Sequence, residues 1–125
     1  MAAVPATDAN EGSQMILDEA ALLEECDNDK ALLSRMVEIF DRDTRERLPR
    51  LREAVRAGTA VAVKEEAHAL KGGIGTFYAT TAYDTAYALE KMGADGNLSN
   101  AQATLQTLES QLQSLRQKLD ELIQT

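Results

Sequence analysis

The chain predicts an all-α fold: an antiparallel up-and-down four-helix bundle with a short additional N-terminal helix. Three observations predict it. Leu105, Leu108, Leu112, Leu115, Leu119 and Leu122 alternate spacings of three and four, the stripe of an amphipathic helix. Three earlier stretches repeat helical spacing with other apolar residues, so each has a face that needs a partner. Aromatic residues make up only 4% of the 125 residues, with no Trp and two Pro, a composition built on Ala and Leu that favours helix over strand.

Residues 1–14 (MAAVPATDANEGSQ) are small, polar and aperiodic. They read as a disordered lead that tolerates deletion, followed by one helical bundle domain over residues 15–125. A short helix follows Asp18 as N-cap and ends near the turn cluster Cys26-Asp27-Asn28-Asp29. The second helix is predicted from about Asp29 to Ala57, with Leu33, Val37, Phe40, Thr44, Leu48, Leu51 and Val55 in phase and Gly58 as its stop. Pro49 falls inside it, where a missing N–H bends or breaks a helix.

Thr59 is placed to cap a third helix that runs to about Ala79, and Thr81 with Asp84 offers the start of a fourth. Ala82, Ala86, Leu89 and Met92 form the inward face of the fourth, and Gly93 to Asn97 read as a turn. Ser99 and Gln102 have the spacing of a capping box for the last helix. Short connections between four amphipathic helices have one economical solution, the bundle, with the first helix covering an end. The leucine seam spans about three heptads and could instead pair two chains. Because the other helices also need a partner face, a monomer is expected.

A formal charge of −8 and a pI of about 4.6 argue against nucleic acid or an anionic membrane surface, which call for a basic footprint. The expected partner is a protein. Cys26 is the only cysteine, which excludes an internal disulfide and marks it as a small core residue in a reducing compartment. One Cys and one His cannot assemble a zinc site of the usual composition, so no metal ligands are assigned. No run of about 18 apolar residues and no basic-then-apolar leader occur, so the expected location is cytoplasmic.

The most informative residue is the single histidine, His68. Val63, Ala67, Leu70, Ile74 and Phe77 fall at i, i+4, i+7, i+11 and i+14, one buried stripe, and His68 lies roughly 140° from its middle. Gly72 and Gly75 share its outward face, and Lys64 and Lys71 flank it at i−4 and i+3. Glycine inside a helix costs about 0.8–1 kcal/mol relative to Ala, so Gly72, Gly73 and Gly75 together cost roughly 2–3 kcal/mol. Against a total stability of about 5–15 kcal/mol, that calls for a reason, and close approach of another surface beside His68 supplies one. The alternative, a helix ending at Lys71 with a glycine loop after it, sits poorly with Leu70, Ile74 and Phe77 staying in phase.

Other chemistries fit less well. Gly72-Gly73-Ile74-Gly75 follows a helix rather than a strand, and no phosphate-loop or dinucleotide pattern is present. A hydrolytic triad lacks a motif for its nucleophile. Lys64 and Lys71 are either ordinary solvated charges or partners for an anionic phosphoryl group. Glu65 and Glu66 read as solvating the outer face.

The residues that follow His68 carry a family resemblance. His68-x-Leu70-Lys71-Gly72, then Gly75-x-Phe77-x-Ala79 and later Leu89-Glu90, resemble the signature of the histidine-containing phosphotransfer (HPt) domain. The likeness extends from about Leu17 to Leu122 and includes Leu48-Pro49, the turn from Ala54 to Gly58 and the Ala67-His68 pair. Tyr78 departs from it, since family members commonly have glycine there. Reduced adaptability near the helix end, or a partner-specific contact, is the expected consequence. Gly73, where Ser or Ala is common, is a milder difference.

The resemblance implies a phosphorelay intermediate rather than an autonomous enzyme. His68 would be the phosphoacceptor nucleophile, taking a phosphoryl group from a receiver-domain aspartate and passing it to another. Imidazole suits that role, since with an ordinary pKa near about 6.5 much of it is neutral at cytosolic pH and it can also leave. Lys71 and Lys64 would flank the phosphoryl group, while Gly72 and Gly75 would give docking clearance. Family precedent puts Mg²⁺ on the partner receiver domain, so this chain is expected to bind no cofactor and no ATP. The implied partners are receiver domains of response regulators or hybrid histidine kinases. Two other readings stay open: a non-phosphorylated helical adaptor, and the phosphoacceptor segment of a larger hybrid or chemotaxis-type kinase. The initial Met1 and an end soon after the last helix favour a free-standing carrier.

Overall fold

A computed structural model describes residues 16–124; the lead expected over residues 1–14 lies outside them. Five helices follow in order: α1 (Glu19–Glu25), α2 (Lys30–Ala57), α3 (Ala60–Gly75), α4 (Thr80–Asp95) and α5 (Ala101–Gln124), with no strand among the described residues. Each long helix packs against the next, and α5 packs back on α2. The connections after α2, α3 and α4 are only 2, 4 and 5 residues long, which makes sequential helices antiparallel neighbours.

Local chemistry explains most of the boundaries. Asp18 and Asp29 cap α1 and α2, each side chain accepting a hydrogen bond at 3.1 Å, from the backbone N–H of Ala21 and of Leu32 respectively. Gly58 and Gly96 end α2 and α4 with φ of 75°, a left-handed stop in which glycine lacks the Cβ clash. α2 runs unbroken through Pro49. The core collects the apolar stripes: Leu33, Val37, Phe40, Leu51 and Ala54 from α2, Val63, Ala67, Leu70 and Ile74 from α3, and all six leucines of the α5 seam. Leu48 and Val55 pack at its edge. Cys26 is buried, its thiol donating to the Leu22 carbonyl at 3.2 Å.

Several expected boundaries move. The third helix ends at Gly75, not Ala79, because Tyr78 turns into the left-handed region at φ 58°. Phe77 nevertheless stays buried, its ring edge-on to Phe40 with centroids 5.2 Å apart. α4 therefore begins at Thr80 with Ala79 in the cap position, and neither Ala79 nor Thr59 makes a side-chain cap hydrogen bond. Gly93 is helical and buried rather than part of a turn. The Ser99 capping box does not form, because the Ser99 hydroxyl donates to Asn97 Oδ1 at 2.8 Å and α5 starts at Ala101.

The bundle end carrying the α3–α4 turn is held by α1. The backbone N–H of Asp18 donates to the Tyr78 carbonyl at 3.0 Å, and the Tyr78 hydroxyl donates to Glu25 Oε1 at 3.2 Å. Ion pairs join the helices elsewhere: Arg116 to Asp41 at 2.7 Å between α5 and α2, and Arg47 to Glu66 at 3.1 Å between α2 and α3. Glu66 is thus a bridge between helices, not a solvating residue of the outer face.

Candidate functional site

The stripe that buries Ala67 and Leu70 turns His68 outward halfway along α3, with 66% of its side chain exposed. Glycines on the same helix leave this face low. A Cβ added to Gly72 would meet nothing within 4 Å, so the surface beside the imidazole is open. Gly75 differs, since a Cβ there would lie 3.3 Å from the Tyr83 ring. The room at Gly75 is taken by a tyrosine of the chain itself. Gly73 faces the other way, toward the Phe40 ring at 3.4 Å.

Across from His68, α4 presents Glu90. One carboxylate oxygen, Oε2, lies 2.9 Å from His68 Nδ1, and the other, Oε1, lies 2.8 Å from Lys71 Nζ. A single carboxylate thus joins the imidazole to the ammonium, and Lys71 stands one group away from the ring it was expected to flank. Glu90 and Lys71 are only 17% and 15% exposed. The Lys71 ammonium also sits over the Tyr87 ring at 4.7 Å and the Tyr83 ring at 5.6 Å. Lys64 is exposed on the turn of α3 preceding His68.

The charges reinforce one another. The Lys71 ammonium paired with Oε1 holds the Glu90 carboxyl below the usual carboxylate range, against the upward push of partial burial and with further help from His68. Reciprocally, Glu90 raises Lys71 above the ordinary lysine range, against the downward push of desolvation. An ionised carboxylate only accepts hydrogen bonds, so the proton in the contact belongs to Nδ1. In a neutral ring this contact favours the Nδ1–H tautomer, which leaves the lone pair on Nε2.

Tyr83 and Tyr87 are absent from the sequence reading of this site, and Glu90 enters it only within Leu89-Glu90 of the family signature, with no role assigned. Their spacing of i, i+4 and i+7 places them on one face of α4, beside the Ala82, Ala86 and Leu89 stripe. That face was legible; its meeting with His68 was not. Among the described residues no group of three or more His, Cys, Asp or Glu is placed to hold a metal ion, and no helix is long and apolar enough to cross a membrane.

Comparison with known proteins places these features in context. The Hpt domain model matches residues 35–121. Among solved structures, histidine-containing phosphotransfer protein B (HptB) from Pseudomonas aeruginosa PAO1 matches with a TM-score of 0.79 at 27% identity, over 86% of this chain and 94% of that one. No curated protein matches.

Proposed function

We propose, from the premise that this chain belongs to the Hpt domain family, that His68 is the residue on which it carries a phosphoryl group. The coarse activity follows from membership: a histidine phosphotransfer protein of a phosphorelay, working with receiver domains as a phosphocarrier. The residue assignment rests on one observation, an imidazole that is 66% exposed beside the open surface of Gly72 and whose Nδ1 is engaged by Glu90, which leaves Nε2 as the nitrogen for chemistry.

The chemistry is then a balanced exchange. The Nε2 lone pair of neutral His68 attacks the phosphorus of an aspartyl phosphate on a receiver; the P–N bond forms, the P–O bond breaks, and the aspartate leaves as carboxylate. The ring becomes cationic while the proton stays on Nδ1, and the Glu90 carboxylate offsets that charge, as a buried acid does for a catalytic imidazolium. In the return step an aspartate of another receiver attacks phosphorus and neutral imidazole leaves. Phosphoryl transfer depends mainly on positioning and charge stabilisation. Glu90 positions the His68 nucleophile here, with Lys71 and Lys64 adding positive charge nearby, Gly72 leaving clearance, and Mg²⁺ belonging to the receiver. No ATP site is assigned to this chain.

Incubation with a phosphorylated cognate receiver and Mg²⁺ tests the reading. The protein should gain label that is acid-labile and base-stable, and a His68→Gln variant should gain none. Label retained by that variant would remove His68 from its role.

A further inference from the structure

The Lys71–Glu90 pair has an aromatic enclosure that neither the transfer chemistry nor the family likeness uses. Tyr83 and Tyr87, one turn apart on α4, place their rings 5.6 and 4.7 Å from the Lys71 ammonium, and the Lys71 side chain is only 15% exposed. The tyrosines themselves remain on the surface at 37% and 45% exposure. One edge of the Tyr83 ring lies against the bare backbone of Gly75, 3.3 Å from where a Cβ would stand, so the glycine leaves room for the ring to approach α3. Lys91 lies 5.5 Å from the Tyr87 ring.

We propose that Tyr83 and Tyr87 are positioning residues, whose ring faces hold the Lys71 ammonium on Glu90 Oε1 and so hold Glu90 Oε2 on His68 Nδ1. A lysine side chain has four rotatable carbons and strong hydration, and an exposed lysine–glutamate pair ordinarily gains little because both chains move. Two ring quadrupoles facing the ammonium replace part of its water and favour one place for it. A carboxylate with one oxygen so anchored has its second oxygen aimed, and that oxygen selects which imidazole nitrogen is free. This inference rests on the proposed role of His68 for its functional meaning, but its physical core concerns a tautomer and needs no partner to be measured.

The test uses the full chain with ¹⁵N-labelled histidine, read by NMR at about pH 8.5, where free imidazole is neutral. The native protein should show the Nδ1–H tautomer in excess. The Tyr83→Leu/Tyr87→Leu pair should lower the ratio of Nδ1–H to Nε2–H about 3- to 10-fold, the scale of the cation–π attraction removed. The Tyr83→Phe/Tyr87→Phe pair, which keeps both ring faces, should hold it. Lys71→Met, which leaves both rings, should reproduce the fall and serves as the decisive variant if the leucine pair does not fold. An unchanged ratio in the folded leucine pair or in Lys71→Met overturns the proposal.

Transfer kinetics supply a second readout: the leucine pair should slow transfer at saturating receiver and leave the half-saturating concentration unchanged. A change confined to the half-saturating concentration would overturn the positioning role, because the rings would then contact the receiver. Should native protein take no label while the tautomer ratio responds as expected, the carrier reading fails and the aromatic enclosure stands.

Discussion

A methyl group on Gly93 would lie 2.5 Å from the backbone nitrogen of Lys64 and 2.8 Å from its Cα, so α3 and α4 approach each other there backbone to backbone. Lys64 is one turn before His68 and Gly93 one turn after Glu90. The close approach therefore lies one turn along each helix from the 2.9 Å contact between imidazole and carboxylate. Gly93→Ala is expected to destabilise the bundle by about 1–3 kcal/mol through overpacking against backbone that cannot yield, even though Ala is the better helix former. Gly72→Ala, whose methyl meets open space, should instead stabilise by about 0.5–1 kcal/mol. Urea unfolding of the two variants checks the opposite signs.

A larger group at Gly72 separates function from stability. Gly72→Leu projects a side chain onto the open surface beside His68, and should slow phosphoryl transfer at least about tenfold, the effect of roughly 1.4 kcal/mol on the barrier. The urea midpoint should not fall. Transfer at the native rate would show that a receiver does not approach over this glycine.

Tyr78 holds a left-handed conformation, φ 58°, that a Cβ disfavours by about 1–2 kcal/mol. Its hydroxyl contact with Glu25 and its carbonyl contact with Asp18 keep it there. The family glycine at this position has a direct physical reason in that geometry. Tyr78→Gly and Tyr78→Ala delete the same ring, so their difference isolates the backbone term. The glycine variant should be the more stable by about 1 kcal/mol, the reverse of the usual order inside a helix, as measured by chemical denaturation.

Glu90 has a lower pKa in the folded bundle than in the unfolded chain, chiefly through Lys71. Its contribution to stability is therefore complete above the ordinary glutamate range and is lost as pH falls through the lowered folded value. Thermal melts from neutral pH into that acid window should show native protein losing more stability than Glu90→Gln. The variant should also shift His68 toward mixed tautomers, since an amide oxygen accepts from Nδ1–H more weakly than a carboxylate. Parallel acid profiles for the two proteins would contradict the assignment.

Periodicity made much of this legible. The leucine seam of α5, the inward stripes of α2 and α3, the Asp18 and Asp29 region and the outward turn of His68 all follow from residue spacing within single helices. Boundaries that depended on side-chain caps were less secure. Ser99 bonded to Asn97 instead of its own helix, because nearby polar groups compete for the same donors and acceptors, and the left-handed turn at Tyr78 left Ala79 rather than Thr81 at the cap of α4.

Residue order along single helices was enough to set the bundle, its core faces and the exposure of one imidazole, since each follows from angular position on a helix. The company that imidazole keeps came from helix packing. Glu90, Tyr83 and Tyr87 meet His68 and Lys71 because Gly93 lets α4 seat against the backbone of α3, and the depth and register of that contact depend on two segments at once. The tautomer of His68 follows from the meeting, because a carboxylate selects a ring nitrogen only by lying within hydrogen-bond distance of it.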